Sequence, residues 1–167
     1  MKEKTAANVH RAFVEEAKAY QRLLMYARKA DKEDLPQIAA LFRAVAEAEG
    51  VHARRHFAQL EAVSDTQTNL ERAFDSENMV KDNAYPAMIA QAQEEDEKTA
   101  ALIFSQARDV EDGHAKLYKR ALERLMADQE VAVTYYVCPV CGFIHENRPQ
   151  DPCPVCGAAP DKFYQVA

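Results

Sequence analysis

Tryptophan is absent from this 167-residue chain, glycine occurs only four times, and no cysteine stands before position 138. Scarce glycine and missing tryptophan suit a helical protein. No run of lysine or arginine appears, and the net charge is −6. Without a basic patch there is nothing to neutralise phosphates, which excludes nucleic acid and anionic membrane surfaces as partners. No apolar window approaches the roughly 20 residues that cross a bilayer, and the first residues, Met1 to His10, lack the apolar segment of a secretory signal. The expected location is therefore the cytoplasm, with no membrane contact. In that reducing compartment, cysteines grouped as Cys-x-x-Cys read as a metal site and not as disulfides.

What is present is a hydrophobic fraction of 48%, enough for a real core, and one stretch that occurs twice. Residues 44–52 read Ala-Val-Ala-Glu-Ala-Glu-Gly-Val-His, and residues 106–114 read Gln-Ala-Arg-Asp-Val-Glu-Asp-Gly-His. Each copy holds a Glu-x-x-His: Glu49 with His52, and Glu111 with His114. Residues three apart on a helix share a face, so each copy aims a carboxylate and an imidazole at one point. Glu16 lies 33 residues before Glu49, and Glu77 lies 34 before Glu111. One Glu-x-x-His in an acidic helical chain means little. Two copies, each in an Ala/Val/Leu face and each preceded by a carboxylate at near-equal distance, are much harder to obtain by chance. Buried carboxylates are costly unless compensated, and a metal ion is the ordinary compensation. The pattern predicts a duplicated helical hairpin with half a metal site per copy. Four Glu and two His suit a pair of iron or manganese ions inside a four-helix bundle. His56, one turn after His52, offers a rival pair with it, but a supporting or surface role is the one expected of it.

Helical spacing of Ala12, Phe13, Ala19, Tyr20, Leu23, Leu24 and Ala27 predicts a first helix over about 5–29. A second is expected over about 35–63 through Ile38, Leu41, Phe42, Val45 and Leu60, with Asp34 or a neighbour as cap and Pro36 in its first turn. Polar residues 64–69 connect it to a third, over about 70–93, which Pro86 should kink. The fourth follows the acidic run Glu94–Glu97 and ends near 127. Residues 128–130 form a linker, after which Val131–Val137 reads as a strand. The expected domains are 1–130, helical, and 131–167, a small unit with too little apolar area to fold without a metal.

That unit holds Cys138-Pro-Val-Cys141-Gly and Cys153-Pro-Val-Cys156-Gly, separated by eleven residues. In such twin knuckles both thiolates of a pair face one ion, and Gly permits the chain reversal. Four thiolates fit Zn²⁺ or a single iron equally well. Zinc would make a structural ribbon, iron a one-electron carrier.

With both sites in place the chain resembles the rubrerythrins, over essentially its whole length. Ala-Tyr-Pro at 84–86 resembles the family's Met-Tyr-Pro after the third-helix glutamate, and Cys-Pro-Val-Cys-Gly-Phe-Ile-His-Glu from Cys138 resembles its first knuckle. The resemblance implies a mainly α fold, a ferritin-like four-helix bundle followed by a rubredoxin-like domain. It implies two non-haem iron ions bridged by Glu49 and Glu111, with Glu16 and His52 on one and Glu77 and His114 on the other. Tyr85 would hydrogen-bond a ligand carboxylate, and Cys138, Cys141, Cys153 and Cys156 would hold a third iron. The implied activity is reduction of hydrogen peroxide to water, with electrons from an NAD(P)H-linked flavoprotein or rubredoxin donor passing through the cysteine site.

Two positions depart from the family. A further glutamate is usual three residues after the one matching Glu77; here that residue is Val80. The remaining six ligands resemble those of bacterioferritins and other diiron oxidases, which leaves peroxide and dioxygen both open as oxidant. Leu23 stands where a tyrosine is common, with Tyr20 one turn away. A ferroxidase or iron-handling protein is one rival reading; a helical scaffold with a structural zinc ribbon is another. A homodimer is expected. In a ferritin-like bundle helices two and three run parallel, and the expected helix ends leave about 31 Å for six residues that reach only about 20 Å. Either the helices end earlier, or the dimer is domain-swapped, each second hairpin packing on a neighbour's first.

Overall fold

The computed structural model describes residues 1–129 and 131–166. Glu130, in the expected linker, and Ala167, at the end of the second expected domain, lie outside the described residues. The chain divides into two compact units, Met1–Ser64 and Asp65–Ala167.

The first unit is a hairpin of α1 (Glu3–Lys32) and α2 (Pro36–Gln59). Phe13 meets Phe57 with ring centroids 4.9 Å apart, and Tyr26 meets Phe42 edge-on at 5.6 Å, so the helices run antiparallel. Their seam is built of small residues: Ala27, Ala30, Ala39, Ala46, Gly50 and Ala53 are buried. Tyr20 covers Gly50, where a Cβ would lie 3.3 Å from the ring. Of the apolar residues that define the second helix's periodicity, Ile38, Leu41 and Val45 stay exposed. Close helix approach needs alanine-sized residues at the seam, which leaves the larger ones on the next face.

The turn between these helices decides which residue, Asp34 or a neighbour, is the cap expected there. Asp34 adopts the left-handed conformation (φ 55°). Its N–H donates to the Asp31 carbonyl at 3.2 Å, and the Leu35 N–H to that of Ala30 at 3.0 Å. This is a Schellman closure of α1. Asp34 therefore ends the first helix; Leu35 takes the N-cap of α2, and Pro36 sits in its first turn.

The second unit begins at α3 (Thr66–Met79), four residues earlier than the periodicity suggests. The cause is Asp65, whose Oδ1 accepts from the Thr68 N–H at 2.9 Å and Oδ2 from the Thr68 hydroxyl at 2.8 Å. At Val80–Ala84 the helix widens into a π turn, continuing as α4 (Tyr85–Glu94). The Tyr85 N–H donates to the Val80 carbonyl, five residues back. A kink at Pro86 was the expectation; a π turn lies immediately ahead of it, giving the ring room against the preceding turn. Lys81 ties this turn to the next helix, its Nζ 3.3 Å from Asp112 Oδ1.

The acidic run closes α4 before the last helix, α5 (Lys98–Met126), begins. Asp96 repeats the left-handed turn of Asp34 (φ 55°), with the Glu97 N–H donating to Ala92 at 2.8 Å. Asp34, Glu49 and His52 each recur 62 residues on, as Asp96, Glu111 and His114. Glu16 and Glu77 are 61 apart, and the odd residue falls in the segment that holds the π turn.

Three short strands follow: β1 (Tyr135–Val137), β2 (Ile144–Glu146) and β3 (Tyr164–Val166), in the antiparallel order β2-β1-β3. The first is shorter than the expected Val131–Val137 because both partners offer only three residues. Cys138, Cys153 and Phe163 form the core of this module, with Tyr136, Phe143 and Val155 packed on it. Among the described residues no helix is long and apolar enough to cross a membrane.

Candidate metal centres

Among the described residues three clusters of metal-ligating side chains come together, each with one donor atom per residue and all donors of a cluster within 4.8 Å of one another. They are Glu16, Glu49 and His52; Glu77, Glu111 and His114; and the four cysteines. Every ligand expected from the sequence falls in one of them, and His56 in none.

The cysteines sit in two loops of matching form. The Gly142 N–H donates to the Cys138 carbonyl at 3.0 Å and the Gly157 N–H to that of Cys153 at 2.9 Å. Both glycines are left-handed (φ 86° and 74°), which a side chain would resist. Cys138 Sγ is 3.6 Å from Cys156 Sγ, and Cys141 Sγ is 3.6 Å from Cys153 Sγ. A tetrahedral ion with metal–sulfur bonds near 2.3 Å spaces its thiolates about 3.8 Å apart, so the cage stands at ligand spacing. Burial works against a charge on Cys138, but the backbone amides of Cys141 and Val140 outweigh it and hold that thiol below its usual value. Burial pushes Cys141 and Cys156 up.

Glu111 and His114 lie one turn apart on α5, with Glu111 Oε2 2.9 Å from His114 Nδ1. From α3, Glu77 Oε1 comes within 3.8 Å of the same nitrogen. Burial, then the hydrogen bond and charge of Glu111, push Glu77 up to about 7. Two carboxylates crowded together in a half-buried site call for a cation between them. His114 turns Nδ1 to the carboxylates and Nε2 to the Gly142 carbonyl at 3.4 Å; an ion held at Nδ1 would leave the ring proton on Nε2, facing that carbonyl, the kind of contact that fixes a ligating histidine's tautomer.

Two phenols overlook this cluster. Burial raises Tyr85, and the charges of Glu111 and Glu77 raise it further; Tyr118 is raised by burial and then by Glu77 and Glu111. Tyr85 also packs against Phe104, with centroids 6.4 Å apart. Tyr118 is not among the site residues expected from the sequence. Its place four residues after His114, on the same helical face, was the available signal.

The other triad repeats the contact between glutamate and histidine. Glu49 Oε2 lies 2.9 Å from His52 Nδ1 on α2, and Glu16 reaches them from α1. Its surroundings differ: the His52 side chain is 51% exposed, that of His114 21%.

Comparison with known proteins agrees with these donor sets. Residues 7–122 match the rubrerythrin family, and residues 136–164 match the rubredoxin-like domain of rubrerythrin. The chain belongs to the rubrerythrin family, whose members are generally oxidoreductases. It is 30% identical to rubrerythrin-2 of Clostridium acetobutylicum, covering 95% of each chain. It is also 30% identical to nigerythrin of Nitratidesulfovibrio vulgaris, covering 95% of this chain and 85% of that one. A solved structure of nigerythrin in a mixed-valence state superposes with a TM-score of 0.60 at 28% identity, over 97% of this chain and 86% of the other. A further nigerythrin structure is fully reduced, all ferrous. The fold class is thus a mainly α, ferritin-like domain followed by a rubredoxin-like domain. Its carboxylate–imidazole clusters are of diiron type, and its four-cysteine cage fits the rubredoxin-like iron site.

Proposed function

We propose that this protein is a non-haem diiron peroxidase that reduces hydrogen peroxide to water. In this reading Glu16, Glu49, His52, Glu77, Glu111 and His114 form one dinuclear centre, and residues 1–130 and 131–167 act as its oxidising and electron-supplying domains. When bound, the iron pair supplies the two electrons that, with two protons, divide one peroxide into two waters, and the cysteine-held iron returns them singly. Glu49 and Glu111 hold the two positions together. Each histidine presents Nδ1, and the phenols of Tyr85 and Tyr118 stand ready to hydrogen-bond a ligand carboxylate. Val80 contributes an apolar wall. The electron donor is an NAD(P)H-linked flavoprotein or a rubredoxin, met in the cytoplasm. The observation that carries the reading is the contact between the four-cysteine loop and the imidazole of the second Glu-x-x-His, at Gly142 and His114. An electron port beside a redox centre has a purpose that a structural zinc ribbon lacks.

Assembly belongs to the same proposal. From Glu49 to the end of α2 at Gln59 is about 15 Å, and from Thr66 to Glu77 about 16 Å. The intervening stretch, fully extended, reaches about 25 Å. Helices that run parallel with Glu49 and Glu77 level cannot be joined by it. A homodimer with exchanged hairpins resolves this, each centre taking Glu16, Glu49 and His52 from one protomer and Glu77, Glu111 and His114 from its partner. Mixed dimers test it. A Glu49→Ala chain paired with a Glu111→Ala chain regains one intact centre if hairpins are exchanged, and none if each chain closes its own.

Val80 supports a second reading, a ferroxidase that uses dioxygen. Single-turnover oxidation of the reduced protein, by peroxide and by dioxygen in parallel, separates the two. Peroxide faster by a wide margin supports the peroxidase; the reverse order replaces it.

A further inference from the structure

The rubredoxin-like module is fastened to α5 by contacts that ligand chemistry does not require. Glu146, the last residue of β2, accepts from Arg120 Nη2 at 2.9 Å through Oε2 and from Arg124 Nη1 at 3.2 Å through Oε1. The arginines are one turn apart, so each takes one oxygen of the same carboxylate. The Glu146 and Arg124 side chains are only 22% and 29% exposed and that of Arg120 42%, so the Arg124–Glu146 pair is more sheltered than an ordinary surface pair. Arg120 Nε is buried, with no hydrogen-bond partner among the described residues.

Two turns towards the start of α5, the Phe143 ring lies over Gly113, where a Cβ would sit 3.4 Å from it. A Cβ on Gly142 would meet Val110 at 3.9 Å, and the Gly142 carbonyl faces His114. The second knuckle is treated differently: among the described residues nothing lies within 4 Å of the Cβ position of Gly157. Of two loops with the same sequence pattern, one is seated on the helix and the other is open.

We propose that Arg120, Arg124 and Glu146 are positioning residues that hold the first knuckle against His114, so that the cysteine site serves the half-centre on its own α5. This rests on the reading that electrons leave the cysteine-held iron for the bundle. Electron exchange between two centres weakens steeply as the gap opens, and a module tethered only by the segment after Met126 would spend much of its time away from the helix.

The test uses the full iron-loaded chain and two variants. Glu146→Ala releases the clamp from the module; Arg120→Gln with Arg124→Gln releases it from the helix, away from the module's own fold. The step measured moves one electron: the cysteine-held iron goes from Fe²⁺ to Fe³⁺ as a bundle iron goes from Fe³⁺ to Fe²⁺. It is followed by the visible absorption of the cysteine site after rapid reduction. The expected result in the helix-side variant is exchange slower by about tenfold or more, with the spectrum and reduction potential of the cysteine site unchanged. Glu146→Arg combined with Arg120→Glu and Arg124→Glu should restore most of the rate.

A second readout needs no redox chemistry. In the zinc-loaded full chain, the nuclear Overhauser contact between the Gly113 α-protons and the Phe143 ring should be present, and lost in the helix-side variant. An unchanged exchange rate in that variant, a contact that survives there, or a contact missing in the unaltered chain overturns the proposal. So does loss of the cysteine spectrum in the helix-side variant, which would make these residues part of the module's fold. None of these measurements uses peroxide, so a protein that prefers dioxygen leaves them untouched.

Discussion

The two Glu-x-x-His triads share a motif, a spacing and a 2.9 Å contact between glutamate and histidine, yet they live in different surroundings. His114 is sheltered by the Gly142 loop and overlooked by two tyrosines, while His52 is half exposed on α2. Local helix geometry is therefore set by the motif, and the electrostatic character of a site by what is laid over it. His52 sits on the hairpin whose large apolar residues Ile38, Leu41 and Val45 also lack cover. That coincidence is what an exchanged dimer would explain, since a partner's hairpin would bury both at once.

Alanine substitutions at the ligands break the comparison most sharply. Glu111→Ala or His114→Ala should abolish loading of bundle iron while the cysteine site keeps its colour, as read by metal analysis and visible spectroscopy. Glu49→Ala should do the same despite the exposure of its partner His52. Intact iron content in that variant would show that the two halves are not equivalent ligand sets.

Val80→Glu adds a carboxylate to the sheltered half alone. The ratio of peroxide to dioxygen reactivity in single turnover should rise, and a fall would point to the ferroxidase reading. Ala46→Leu forces a large side chain into the fully buried seam of the exposed half. Overpacking of that kind costs about 1–3 kcal/mol, measurable as a lower melting temperature.

The smallest effect concerns Asp65, the cap that starts the second unit. The Thr68 backbone N–H, with the Thr68 hydroxyl, holds its carboxyl below the usual carboxylate value. A depressed folded pKa stabilises above the unfolded value, near 3.9, and that contribution fades as pH falls through the folded one. Asp65→Ala should thus melt earlier than the unaltered chain at neutral pH and converge with it in strong acid.

Much of this was legible in the sequence, and the rest has physical reasons for having been hidden. Ligands repeated at helical spacing could be read directly, because a helix converts an i, i+3 interval into a shared face. The 33- and 34-residue intervals were visible too, but only the π turn gives the mismatch a structural form. Asp34 looked like a cap because aspartate favours both the start of one helix and the left-handed end of another; hydrogen bonds from residues 34 and 35 decide between them. The Arg120–Arg124–Glu146 clamp joins groups more than twenty positions apart across a change of secondary structure, and no periodicity announces such a meeting. The alanine seam was hidden by the habit of assigning the largest apolar residues to the interior.

The π turn also bears on how the duplicated hairpins drifted apart. One surplus residue in a regular helix would rotate everything beyond it by about 100° and send Tyr85 and its neighbours to the wrong side. Swallowed in a widened loop of backbone, it leaves Glu77 behind it and Asp96 ahead of it in step with their counterparts. The second copy could thereby grow out of register with its twin in length while staying in register with it in chemistry.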